Sequence, residues 1–233
     1  PFWSTGNGSV AANRAGPHNI DVLCLLFGSL LGDSSGSWPK NQKNPLFKFY
    51  QGEVNSSYIL WLWKFFHDRG YTTNLEPVYR VHTRSKALPR SSVKEQEYRE
   101  FRILTLPSLN WLFSVFYPYN IQGDVGLKVL PSNELLHIYL SPLAIAIWFM
   151  DDGCLSGQGF RFSTHSFTYS ELERLQGVLL DMYDLQCTIH STNEHKRGGK
   201  ESYYLYVNSV SRIHFINLVK PYMHSSMLYK INL

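Results

Sequence analysis

Two aspartates close two apolar segments of the same kind. Leu26-Phe27-Gly28-Ser29-Leu30-Leu31-Gly32 runs into Asp33-Ser34, and Ile145-Ala146-Ile147-Trp148-Phe149-Met150 runs into Asp151-Asp152-Gly153. Helices that pack closely need small residues along one stripe, which Gly28, Ser29 and Gly32 supply in the first segment and Ala144 and Ala146 in the second. Helices joined along those stripes bring their C-terminal acids together. Two carboxylates held side by side repel unless divalent cations sit between them, and oxygen ligands of this kind suit Mg²⁺. In a two-metal arrangement the ions activate an attacking water and stabilise a leaving 3′-oxygen, which is the chemistry of phosphodiester hydrolysis. Adjacent helical residues point about 100° apart, so only one of Asp151 and Asp152 faces the partner acid.

The elements that must position these acids occur twice in the same order. Phe47-Lys48-Phe49-Tyr50-Gln51 and Phe160-Arg161-Phe162-Ser163-Thr164 both alternate as a strand with one buried and one wet face. Helical periodicity follows each, over Val54 to His67 with Asn55 or Ser56 as N-cap, and over Phe167 to Tyr183 with Thr168 or Ser170. Two β-rich runs come next in each copy: Pro77 to Thr83 with Tyr98 to Leu106, and Gln186 to Ser191 with Ser202 to Asn208. An aromatic-rich apolar segment then ends at Pro118-Tyr119 in one copy and Pro221-Tyr222 in the other, with Lys128 and Lys230 beyond. The pattern predicts an α+β pseudo-dimer on one chain. We divide it into a polar tail over 1–19, a first repeat over 20–131, a linker over 132–141 and a second repeat over 142–233.

Composition narrows the class. The 233 residues are 44% hydrophobic and 17% charged, with 14 Phe, 15 Tyr and 6 Trp, which excludes a low-complexity or disordered chain. The apolar run from Leu135 to Met150 is interrupted by His137, Ser141 and Pro142 and is too short for a bilayer span, so no membrane partner is expected. Pro1 to Asn19 lacks an apolar signal core. Cys24, Cys154 and Cys187 form neither a disulfide framework nor a CxxC pair, and the nine histidines fall in no zinc-ligand spacing. The net charge is +4, and its basic excess lies in the first half, where 14 Lys and Arg stand against 9 Asp and Glu through Val129. Such a surface suits a polyanion. Trp61, Trp63 and Phe65 sit at helical spacing and read as core.

The two acid-terminated segments resemble the signature helices of the LAGLIDADG homing endonucleases, and Trp148 to Gly153 is similar to the second motif of the monomeric, intron-encoded organellar members. The resemblance covers Ile20 to the C-terminus. It implies two αββαββα halves whose strands form a DNA-binding β-saddle, with the motif helices packed at the interface. It implies a metal-dependent, site-specific endonuclease that acts in intron homing and cuts both DNA strands across the minor groove. Alignment with the family's final acid before glycine selects Asp152 as the partner of Asp33. By position, the backbone carbonyls of Gly32 and Asp151 complete the metal shell. The family also places a polar residue at the end of the second strand and a lysine near the end of the last helix of each half, positions matched by Gln51, Thr164, Lys128 and Lys230.

The resemblance further implies Mg²⁺ as cofactor, with Mn²⁺ able to substitute and Ca²⁺ supporting binding without cleavage. The partner is a double-stranded target of roughly two helical turns, each about 10 base pairs. Candidate DNA contacts, by side-chain type and place on the strands and loops, are Asn41, Lys43, Lys48, Arg80, His82, Arg84, Lys86, Arg102, Arg161, His165, Lys196, Arg197 and Lys200. A mitochondrial or other organellar setting follows from the family. A second reading is an RNA-binding maturase that helps its host intron splice without cutting DNA, and a third is a folded remnant without activity. Retention of both acids favours the nuclease.

Overall fold

The computed structural model describes residues 18–82, 95–119, 126–192 and 201–232. The first repeat runs α1 (Ile20–Leu31), β1 (Ser35–Ser37), β2 (Leu46–Gly52), α2 (Ser56–Asp68), β3 (Val78–His82), β4 (Gln96–Arg102) and α3 (Asn110–Phe116). A short α4 (Asn133–Tyr139) follows, so the stretch expected as a linker is largely helical. The second repeat runs α5 (Pro142–Asp152), β5 (Gly153–Ser156), β6 (Gly159–Phe162), α6 (Tyr169–Tyr183), β7 (Cys187–Thr192), β8 (Ser202–Val207) and α7 (Arg212–Val219), and a 3₁₀ helix over Ser225–Ile231 closes the chain. Both halves are therefore αββαββα. Their antiparallel sheets have the equivalent orders β1-β2-β4-β3 and β5-β6-β8-β7.

Compaction does not follow the repeat boundary. One unit is built on Ser34–Leu109, and the other joins Gly16–Asp33 to Asn110–Leu233. Helix α1 begins the first repeat yet packs with α5, because nine of its residues are buried and its apolar surface extends around most of the helix.

In the unit holding the first sheet, alternation decides the core. Phe47, Phe49 and Phe101 point to one face and are buried, while Lys48, Tyr50, Glu100 and Arg102 share the other. Helix α2 covers the apolar face, with Phe66 packed 5.0 Å from Phe49 between ring centroids. Its buried stripe is Tyr58, Ile59, Leu62 and Phe66. Trp61, Trp63 and Phe65, expected as core, are only partly buried. Trp63 stacks on His67, and the Arg69 guanidinium lies 3.7 Å over the Phe65 ring, so cationic and imidazole neighbours cover part of the aromatic surface.

In the other unit, Phe149 of α5, Phe160 and Phe162 of β6 and Phe215 of α7 form one aromatic core, with centroid separations of 4.9 to 5.9 Å. Ser141 caps α5 by accepting from the Ala144 amide, with Pro142 in the first turn where a missing N–H costs nothing. Thr168 caps α6 in a full capping box with Glu171. Among the described residues no single helix is long and apolar enough to cross a membrane.

Candidate functional site

Helices α1 and α5 meet closely enough that side chains are excluded. A Cβ on Gly28 would lie 2.2 Å from the Ala144 carbonyl oxygen, and a Cβ on Gly32 would lie 2.6 Å from Asp151 Cβ. Only glycine allows that approach. The contact is asymmetric at its acid end: opposite Gly32 stands no second glycine but the Asp151 side chain, which occupies the space Gly32 leaves.

The helix ends bring Asp33 and Asp152 together. Burial raises the Asp152 carboxyl above the ordinary carboxylate range, the adjacent Asp33 charge and hydrogen bond raise it further, and Lys128 and Lys230 offset part of the rise. The two lysines are held in equivalent ways. The last carbonyls of a helix have no intrahelical partner and carry the negative end of its dipole, so a cation there is favoured. Lys128 Nζ donates to the Gly32 carbonyl at the end of α1, 3.0 Å away. Lys230 Nζ donates to the Met150 and Asp151 carbonyls at the end of α5, at 2.5 and 3.3 Å. Burial lowers both ammonium groups, and the charges of Asp33, Asp151 and Asp152 work against that lowering.

The donor set is all oxygen: two carboxylates and the carbonyls of Gly32 and Asp151. Desolvation and mutual repulsion make the doubly ionised pair unfavourable, and this is the environment a hard divalent cation relieves. The residues fit Mg²⁺ in kind. Among the described residues no three His, Cys, Asp or Glu side chains gather as a metal-holding cluster. Such an ion would therefore draw the rest of its shell from carbonyls and water.

Sequence reasoning left open which of Asp151 and Asp152 faces Asp33, and the resemblance then gave Asp151 a carbonyl role in the metal shell, at the position matching Gly32 of the first copy. Its carboxylate lies against Gly32 and its charge acts on both lysines, a placement signalled in the sequence by the glycine that leaves room for it. Thr164 is buried and its hydroxyl donates to the Tyr203 carbonyl at 3.1 Å. Gln51, in the other unit, is buried at the end of β2 and accepts from Asn55 Nδ2 at 3.2 Å.

The candidate DNA contacts separate by sheet. On the first sheet Lys48, Arg80 and Arg102 converge on Glu100, which is 6% exposed. His82 follows on the same face, in register with Gln96. Asn41 and Lys43 lie exposed in the β1–β2 connection. On the second sheet the Arg161 guanidinium lies 4.3 Å over the Tyr204 ring, and His190 stacks on Tyr204 at 5.2 Å. His165 sits in the turn before α6. Arg84, Lys86, Lys196, Arg197 and Lys200 lie outside the described residues.

Residues 23–215 match the family model of the LAGLIDADG DNA endonuclease family. The chain is 33% identical over 221 residues to the cytochrome b mRNA maturase bI2 of Saccharomyces cerevisiae, covering 94% of this chain and 49% of that protein, so it spans about half that relative's length. It is 33% identical over 172 residues to the intron-encoded endonuclease ai4 of Dictyostelium discoideum, covering 74% of this chain and 99% of that one. Over 222 residues it is 26% identical to the DNA endonuclease I-ChuI of Chlamydomonas applanata, covering 89% and 93%. In fold it is similar to the homing endonuclease I-WcaI, solved bound to its DNA recognition sequence, with a TM-score of 0.79 at 20% identity over 96% of this chain and 91% of that one.

Proposed function

The chain belongs to the LAGLIDADG DNA endonuclease family, and we propose that it is a monomeric, site-specific endonuclease that makes a double-strand break in a target of roughly two helical turns and acts in intron homing. What most supports this reading is the juxtaposed Asp33 and Asp152, each on a glycine- or alanine-lined helix and flanked by lysines on the helix-terminal carbonyls. In this reading Asp33 and Asp152, with the Gly32 and Asp151 carbonyls, hold Mg²⁺, or Mn²⁺ in its place. The bound cation would supply water activation and charge neutralisation at the leaving oxygen. Lys128 and Lys230 stabilise developing phosphate charge, one in each half. Sheet residues Lys48, Arg80, His82, Arg102 and Arg161 face the DNA grooves, where Arg and Lys match guanine edges. An organellar site of action is part of the same proposal.

A maturase role is the second reading, favoured by the 33% identity to a protein named as a cytochrome b mRNA maturase. The test is selection from a randomised duplex library with Mg²⁺, followed by sequencing of the cut ends. The nuclease reading expects one preferred site with short 3′ overhangs, and Ca²⁺ should preserve binding to that site while suppressing cutting. Absence of any preferred cut, together with binding to structured intron RNA, would move the assignment to the maturase.

A further inference from the structure

The two lysines at the acid pair are carried differently. Lys230 rides on the closing 3₁₀ helix, whose start is fixed by the His224 side chain accepting from the Ser226 amide and whose end is a left-handed Asn232. Lys128 sits in 126–132, a stretch with neither helix nor strand, so its place is set by whatever bonds that stretch makes to its surroundings. Two of those bonds come from α3 and the residues just after it: the Gly126 amide donates to the Pro118 carbonyl and the Val129 amide to the Phe116 carbonyl, both at 2.8 Å.

Further bonds come from the second repeat. The Leu130 amide donates to Glu171 Oε1 at 2.8 Å. Arg174 donates through Nη2 to the Leu130 carbonyl at 3.2 Å, and through Nη1 to the Pro131 carbonyl at 3.1 Å and to Asn133 Oδ1 at 3.0 Å. Glu171 is itself fixed, since its other oxygen accepts from the Thr168 amide and hydroxyl at 2.8 Å each in the α6 cap. One turn of α6 therefore grips the backbone of two consecutive residues, Leu130 and Pro131, two and three positions beyond Lys128, and the Asn133 side chain. A planar guanidinium suits this task, because its rigid fork holds donors on separate nitrogens in fixed directions, whereas an ammonium is a compact point charge on a flexible stem.

We propose that Glu171 and Arg174 are positioning residues for Lys128: this clamp from the second repeat holds the first repeat's lysine on the Gly32 carbonyl. The proposal rests on the nuclease reading, in which each lysine serves one of two pseudo-symmetric strand-cutting centres. A clamp acting on Lys128 alone must then act on one strand alone.

The experiment measures nicking of each strand separately on one end-labelled duplex, for the wild type, Lys128→Met, Lys230→Met, Arg174→Ala, Arg174→Lys and Glu171→Gln. Hydrogen exchange of the peptide spanning residues 126–133 is followed alongside. Displacement of a reacting group by about 1 Å costs on the order of a hundredfold, so Arg174→Ala should slow one strand by about tenfold or more relative to the other. The affected strand should be the one slowed by Lys128→Met and not the one slowed by Lys230→Met. Glu171→Gln should show the same bias more weakly, because it keeps the shape of the cap, and Arg174→Lys should not restore the wild-type balance. Exchange over 126–133 should quicken in all three clamp variants. If Arg174→Ala is too unstable to purify, Glu171→Gln carries the test alone. Equal slowing of both strands, or no slowing with faster exchange, overturns the proposal while leaving the nuclease reading intact. Unchanged exchange shows that no clamp exists. A wild type that cuts no member of the library overturns the nuclease reading, and this proposal with it.

Discussion

Asp33 with Lys128 and Asp152 with Lys230 are the same chemistry on different mounts. Each acid ends an apolar helix, and each lysine caps the carbonyls at that helix's end. The first helix reaches the contact by having no side chain at Gly28 and Gly32, whereas the second presents the Ala144 backbone and the Asp151 side chain to those gaps. The duplicated pattern therefore preserves functional groups while dividing the packing unequally. One copy supplies space and the other supplies bulk.

The sharpest way to break the symmetry is at the acids. Asp33→Asn or Asp152→Asn removes a charge that the proposed cation would meet and keeps shape, so on the nuclease reading binding should persist while cleavage falls about a thousandfold, equivalent to ~4 kcal/mol of transition-state stabilisation. A gel shift beside a cleavage time course measures both. Asp151→Asn should be milder, since its carboxylate acts on the lysines and fills the gap at Gly32. Near-normal cutting by Asp152→Asn with loss in Asp151→Asn would exchange their roles.

The lysines come next. Lys230→Met and Lys128→Met should each slow a different strand by about a hundredfold, the scale of losing one donor to a developing oxyanion. Nicked duplex should accumulate in both variants, and simultaneous loss of both strands would mean the two centres are not separable.

The helix contact should respond on stability. Gly28→Ala forces a methyl to within 2.2 Å of a backbone oxygen, which cannot move as a side-chain tip can. The expected loss is about 1–3 kcal/mol in urea unfolding. Gly177→Ala in α6 is the control: its Cβ meets nothing within 4 Å, so the change should stabilise by about 0.4–1 kcal/mol. Equal effects at the two glycines would remove the argument from close approach.

Most of this was readable before any coordinates, for reasons that differ by residue. Strand alternation around Lys48 and Arg161 and an N-cap at Thr168 or Ser170 are local signals, and local signals repeated twice fix an order of elements. The observed sheets add a pairing no periodicity contains, namely β2 beside β4 and β6 beside β8. The meeting of Asp33 and Asp152 was legible because two apolar segments with small residues for close packing, each ending on an acid, recur in one chain. The grip of Arg174 on the Leu130 and Pro131 carbonyls was not, because an arginine on an amphipathic helix looks the same in sequence whether it meets water or a distant backbone. The partial exposure of Trp61, Trp63 and Phe65 was missed for the opposite reason: period alone cannot say which side of an aromatic-rich helix meets the sheet.

The two sheets give the smallest expected effect, and the one that pH can read. Arg161 on the second sheet is covered by an aromatic ring, whereas Lys48, Arg80 and Arg102 on the first surround a buried carboxylate. Burial raises Glu100, and the Lys48 hydrogen bond and charge, helped by Arg80, outweigh it, so the group titrates below the ordinary glutamate range. A carboxylate depressed in the folded state contributes stability that is fully present above its unfolded value of about 4.3 and is lost as pH falls through the lower folded value. Unfolding followed downward from neutral pH should show that loss in the wild type, and Glu100→Gln should flatten it. The same variant leaves three cations without their shared anion. Its non-specific DNA affinity should rise modestly and fall more steeply with salt, because one more positive charge is available to phosphate. If Glu100→Gln changes neither the acid limb nor the salt slope, the cluster is an ordinary surface arrangement, and the charge difference between the two sheets has no consequence for DNA.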